Sequence, residues 1–147
     1  MKRSYIVFGI ALMAASAALA HQGVQNPAVM ARMNGMSAIA KNMKTLGQMA
    51  KGTSAFDAEA ARSAAAAIAE HAAAVPQLFE AKETDPKSEA RPEIWANFGD
   101  FSSKAQELET LAAGYAQSLS VSSDLNAAMA ALGATCKSCH ADYRIDK

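Results

Sequence analysis

The sequence predicts an all-α protein, an antiparallel four-helix bundle, on three observations. Apolar and small residues recur in alternating steps of four and three through four separate stretches, which marks one buried face per helix. No stretch alternates apolar and polar residues as a half-buried strand must. The connections are mostly short, and short connections make consecutive helices antiparallel neighbours.

Residues 1–20 stand apart from that pattern. Lys2 and Arg3 give a charged start, Ile6 to Ala15 an apolar centre and Ala18-Leu19-Ala20 a small-residue cleavage site, as in an export leader cleaved after Ala20. The apolar run falls short of the ~20 residues of a membrane span, so removal is expected instead of anchoring, with no stable membrane insertion afterwards. Taking 20 residues from 147 leaves 127, enough for one domain, residues 21–147, in the periplasm. Two of the fourteen basic residues leave with the leader, so twelve face fourteen acidic ones, a net charge of −2. Such a balance gives no support for nucleic-acid binding.

The first helix is expected from about Asn26 to Ala50, with residues 29, 33, 36, 40, 43, 47 and 50 on its buried stripe. Lys51-Gly52 ends it, glycine supplying the positive φ of a C-terminal cap. Asp57 is the N-cap of a second helix whose stripe is Ala61, Ala65, Ile68, Ala72, Val75 and Phe79. Pro76 lacks an amide hydrogen and is expected to kink or end that helix near Val75. Residues 81–91, rich in charge and without apolar periodicity, read as a solvated connection. Pro92 opens a third helix carrying Ile94, Phe98, Phe101, Ala105, Leu108, Ala112, Tyr115 and Leu119. Ser122 or Ser123 caps the fourth, with Asp124 on its N-terminal dipole and Leu125, Met129, Leu132, Cys136, Cys139 and Tyr143 facing inward.

The chemistry concentrates in that last helix. Cys136 and Cys139 form Cys-x-x-Cys followed at once by His140. A disulfide across so few residues closes almost no loop and gains little entropy. A thioredoxin-like dithiol belongs beside a strand and helix unit, which is missing, and zinc needs further ligands when only His21 and His71 remain. Covalent haem attachment needs two thiols to add to two vinyl groups and an imidazole reaching the iron from the same side, and Cys-x-x-Cys-His is its signature. Steps of three and four put all three side chains on one helix face. One haem c is therefore expected, bound through Cys136 and Cys139 with His140 as proximal ligand.

Three stretches resemble the class II cytochromes c, the cytochrome c′ group: Cys136 to Arg144, Ala90-Arg91-Pro92-Glu93-Ile94-Trp95, and Leu46 to Gly52 followed by Phe56-Asp57. With the helix lengths, the resemblance covers essentially the whole mature chain. It implies a four-helix bundle with haem on the C-terminal helix; class I cytochromes c carry the motif near the N-terminus instead.

The family divides on the sixth iron ligand. One branch has an apolar residue on the first helix and an open, high-spin iron; another has methionine there. Counting back from Lys51-Gly52 brings that position to Met36, on the inward stripe. A thioether stabilises ferrous haem and suits reversible electron transfer. Core filler is the competing role for Met36, since Met30, Met33, Met43 and Met49 share the helix, and Met33 is the rival ligand one turn earlier. Arg32 matches a family arginine that approaches a haem propionate, with a solvated surface charge as its alternative. Arg144 matches a basic residue following the proximal histidine, or else complements the helix dipole. His71 lies beside its helix's stripe and is not expected on the iron. The resemblance thus implies a periplasmic one-electron carrier with low-spin His140/Met36 ligation, redox proteins as partners and no catalytic residue. The alternative is a high-spin protein binding nitric oxide or carbon monoxide, with His140 its one axial ligand. A homodimer through the first two helices is compatible with the alanine-rich second helix.

Overall fold

The computed structural model describes residues 23–145, so the expected leader of residues 1–20 and His21 lie outside the described residues. Asn26 starts the first helix, α1 (Pro27–Ala50), its side-chain oxygen accepting the amides of Ala28 at 2.9 Å and Val29 at 3.1 Å. The helix stops where Gly52 takes φ +69° and the amides of residues 51–54 turn back onto carbonyls of its last turn. Asp57 caps α2 (Ala58–Phe79) by accepting the Ala60 amide at 2.9 Å. A single turn α3 (Glu93–Ala96) precedes α4 (Phe98–Ser118), and α5 (Asp124–Tyr143) completes the bundle. No strand occurs among the described residues; an isolated antiparallel bridge joins Ala90 to Arg144.

Cross-helix bonds give the helix directions. Arg32, early in α1, reaches the Leu78 carbonyl late in α2; Arg62, early in α2, reaches the Leu119 carbonyl just past α4; Lys104, early in α4, pairs with Asp142 late in α5. The long helices therefore run up, down, up and down, with α1 beside both α2 and α5. Alanines 61, 64, 65 and 72 are buried on α2, and their short side chains let it pack closely between α1 and α4. Leu46, Ile68, Ile94, Leu119, Leu125 and Leu132 fill the interior. At one end Phe79 lies against Phe101 at 5.0 Å, and Tyr143 stands edge-on to Phe101 at 5.3 Å.

Five expectations change. The buried row of α1 holds Val29, Arg32, Ile39 and Leu46, so Met33, Ala40 and Gly47 flank it and only its phase was misjudged. α2 continues through Pro76 to Phe79: the lost amide removes one bond, while Val75 and Phe79 stay buried on the same face. The third helix is broken at Asn97, with φ −127° and ψ 44°, so α3 and α4 are separate. Neither serine caps α5 through its side chain; Asp124 accepts the amides of Ser120 at 3.4 Å and Val121 at 3.3 Å. Finally, the 81–91 connection is not simply solvated. Asp85 is buried, and its carboxylate accepts the amides of Gln25, Asn26 and Lys87.

Candidate functional site

α5 presents Cys136, Cys139 and His140 within its last two turns, all half-buried. Both thiols are free, and Cys139 packs against the core. Burial pushes the Cys136 thiol up and the Cys139 thiol up to about 11, so both are neutral at pH 7. A neutral thiol is a poor zinc ligand or disulfide-exchange nucleophile. It does suit addition of S–H across a vinyl group, in which every atom is retained in a thioether. His140 is held below its ordinary value, by burial first and by Arg144 second. The neutral imidazole so favoured is the form that binds iron. Among the described residues no group of three or more His, Cys, Asp or Glu side chains is placed to hold a metal ion unaided. The donor set thus fits haem, where the porphyrin supplies the remaining iron ligands.

Opposite α5 runs α1. The helices come close at Gly47, where a Cβ would lie 3.4 Å from Met129 Cε. Eleven residues on from Met129 is His140, and eleven residues back from Gly47 is Met36. Because the helices are antiparallel and eleven residues make about three turns, both side chains return to the facing sides of their helices at about the same level, ~16 Å from the contact. Met36 is half-buried and packs on the core; Met33 lies on the adjoining row, one turn further along. Met43, Met49, Leu108, Met129 and Phe98 are likewise half-buried against the core. Two shallow clefts open elsewhere, one along α4 around Gln106 and Thr110, the other around Arg91, Asp100 and Tyr143. The donors, not a concavity, define the site.

Both arginines have partners within the chain that the sequence did not announce. Arg32 is 3% exposed, so it is no solvated charge. Its Nε donates to the Leu78 carbonyl at 2.9 Å, Nη1 to the Glu83 carbonyl at 2.8 Å and Nη2 to the Ala81 carbonyl. The guanidinium carbon also lies 4.8 Å from the Phe79 ring centre and 5.3 Å from that of Trp95. Arg144 pairs with Glu89, Nη2 at 2.6 Å and Nε at 2.8 Å from the same carboxylate oxygen. That pair, the Arg91 amide bond to the Tyr143 carbonyl and the Ile145 amide bond to the Glu89 carbonyl fasten residues 89–91 onto the end of α5. Sequence reasoning missed Asp100, whose carboxylate accepts the Tyr143 hydroxyl at 2.5 Å, and Lys104, which donates to Ser138 at 3.0 Å and pairs with Asp142 at 3.2 Å. Both bind α4 to the helix that carries the cysteines. Neither carried a motif, because each meets its partner only across the bundle.

Known proteins agree with this architecture. A family model for cytochrome C′ matches residues 27–144. A cytochrome c-556 of Agrobacterium tumefaciens (strain II Chrys) is 39% identical over 113 residues, covering 76% of this chain and 92% of that protein. Among solved structures, oxidized Rhodopseudomonas palustris cytochrome c556 superposes with a TM-score of 0.76 at 27% identity, over 84% of this chain and 99% of that one. Cytochrome c′ from the same organism gives 0.77 at 27% identity, again over 84% and 99%. The backbone is common to both, so the residues facing the iron decide the ligation. With its four-helix bundle and its thiol pair near the C-terminus, the chain belongs to the cytochrome c′ family, the class II cytochromes c, haem c proteins that carry electrons or bind gases.

Proposed function

We propose that residues 21–147, exported and freed of the leader, act as a periplasmic one-electron carrier that exchanges electrons with other redox proteins. Cys136 and Cys139 hold a single haem c through thioether bonds, and His140 and Met36 occupy its two axial positions. When bound, haem c supplies a one-electron ferric/ferrous couple. What supports the reading is the register of α1 on α5: counted along antiparallel helices, Met36 and His140 are each eleven residues, about three turns, from the Gly47–Met129 contact. Met36 is also on the side of α1 that packs against the core.

The division of labour among these side chains follows from their chemistry. Two thioether links from Cys136 and Cys139 would prevent loss of the group. The neutral imidazole of His140 and the uncharged Met36 sulfur would be the two protein ligands of its iron, which would leave an outside ligand to compete with Met36. A soft sulfur donor favours the ferrous form and raises the potential. Among the described residues no helix is long and apolar enough to cross a membrane.

Optical spectra of the ferric and ferrous protein test the reading. Low-spin spectra in both states and weak carbon monoxide binding are expected. A high-spin spectrum with ready carbon monoxide binding would replace it with the gas-binding function, in which Met36 is core filler.

A further inference from the structure

Arg32 is the one charged side chain on the buried row of α1, and an apolar residue would fill that space without the cost of burying a guanidinium. Burial does lower its pKa, with Glu83 nearby acting against that. What an apolar side chain lacks is direction. The three guanidinium nitrogens meet three carbonyls, of Leu78, Ala81 and Glu83, spread over the end of α2 and the start of the following connection. Fork geometry of this kind is satisfied at one rotation and one axial setting of α1, which a lysine ammonium cannot enforce.

The connection grips α1 in return. Asp85 Oδ2 accepts the amides of Gln25 at 2.9 Å and Asn26 at 3.1 Å, immediately before the helix. Asn26 caps α1 with its oxygen while its Nδ2 donates to Glu83 at 2.8 Å. Trp95, stacked near Arg32, donates Nε1–H to the Phe79 carbonyl at 2.7 Å and so steadies the same end of α2. The start of α1 is therefore held at residues 25–26 and again at residue 32. Met36 follows Arg32 by one turn.

We propose that Arg32 and Asp85 are positioning residues for the distal ligand: together they lock α1 against the α2–α3 connection so that the residue-36 sulfur stays engaged. This rests on the His140/Met36 reading. Arg32 acts here through the backbone of α1, with its donors turned to carbonyls, and sets how much of the protein has an open distal side.

The test uses the haem-loaded mature protein and its Arg32→Lys variant, with Ile68→Val and Leu119→Ala as core substitutions that bracket the loss of thermal stability. Arg32→Lys is expected to give the ferric protein a visible high-spin fraction and to tighten carbon monoxide binding to the ferrous protein about tenfold, as when an open population rises from ~1% to ~10%. The core variants should melt earlier yet keep the wild-type spectrum and gas affinity. Asp85→Asn, nearly isosteric, should move both readouts in the same direction, and it decides the matter if Arg32→Lys fails to fold. Wild-type gas affinity and a low-spin spectrum in the latch variants that fold would overturn the proposal while leaving Met36 ligation intact. Core variants that open the iron equally would also overturn it. A wild type already high-spin overturns both, and so separates failure of the ligation reading from failure of the latch alone.

Discussion

Truncating Met36 and Met33 in parallel separates coordination from packing. Both side chains are half-buried on α1, so removing either costs about half the roughly 2 to 5 kcal/mol of a fully buried methionine, about 1 to 2.5 kcal/mol. Melting temperatures of Met36→Ala and Met33→Ala should therefore fall together. Their ligand chemistry should not. Met33 lies fourteen residues from Gly47, about 4.5 Å further along α1 than Met36 and about 40° round the helix from the Gly47 direction, against about 20° on the other side for Met36. If the thioether is released in ~1% of the ferrous protein, carbon monoxide competes for that fraction alone, and apparent affinity is about a hundredfold below that of an open iron. Met36→Ala removes the competitor, so an optical titration of the reduced protein should tighten about a hundredfold, worth about 2.7 kcal/mol. The ferric form should become high-spin, while Met33→Ala stays within about twofold of wild type. If Met33→Ala opens the iron and Met36→Ala does not, the register across the α1–α5 seam is wrong by one turn. If neither does, no methionine of that face is a ligand.

Other perturbations test the frame around the site. Amide bonds from Lys87, Gln25 and Asn26 hold the Asp85 carboxyl below the usual carboxylate range. Its contribution to stability is thus full above the ordinary value and lost as pH falls through the lowered one, and Asp85→Asn should flatten that part of the acid limb in a melting-temperature profile. Trp95→Phe leaves the Phe79 carbonyl without its indole donor and should cost about 1 to 3 kcal/mol by denaturant unfolding. Cys136→Ser or Cys139→Ser should weaken retention of pigment through acidified organic solvent, and losing both should leave little stable holoprotein; full extraction from mature wild type would end the claim of covalent attachment.

Local signals in this sequence were readable where one residue type does one physical job. Asn26, Asp57 and Gly52 mark helix ends through their own side chains or backbone freedom, and the α2 stripe from Ala61 to Phe79 is buried as its spacing requires. On α1 the phase slipped because alanine, glycine and methionine flank the buried row on both sides, so counting small residues as apolar could not tell Ile39 and Leu46 from Ala40 and Gly47. Arg32 and Asp85 illustrate a different gap. Each is buried because backbone groups tens of residues away satisfy it, and nothing in the neighbouring sequence announces those partners. Cys136, Cys139 and His140 were legible as a motif, being adjacent in the chain. Met36 was reached through the family resemblance and not through a local motif, because its relation to His140 runs across the seam between α1 and α5.

A coordinated methionine methyl sits over the face of the porphyrin, where the ring current moves its proton resonance far upfield of every other methyl. From residue 21 onward the chain has six methionines, Met30, Met33, Met36, Met43, Met49 and Met129, so labelling their methyl carbons gives a spectrum simple enough to assign. In the reduced protein one of the six should appear in that isolated upfield position, and it should vanish in Met36→Ala while persisting in Met33→Ala. Six methyl signals all in the ordinary range, or an upfield signal that survives Met36→Ala, would contradict ligation of the iron by Met36.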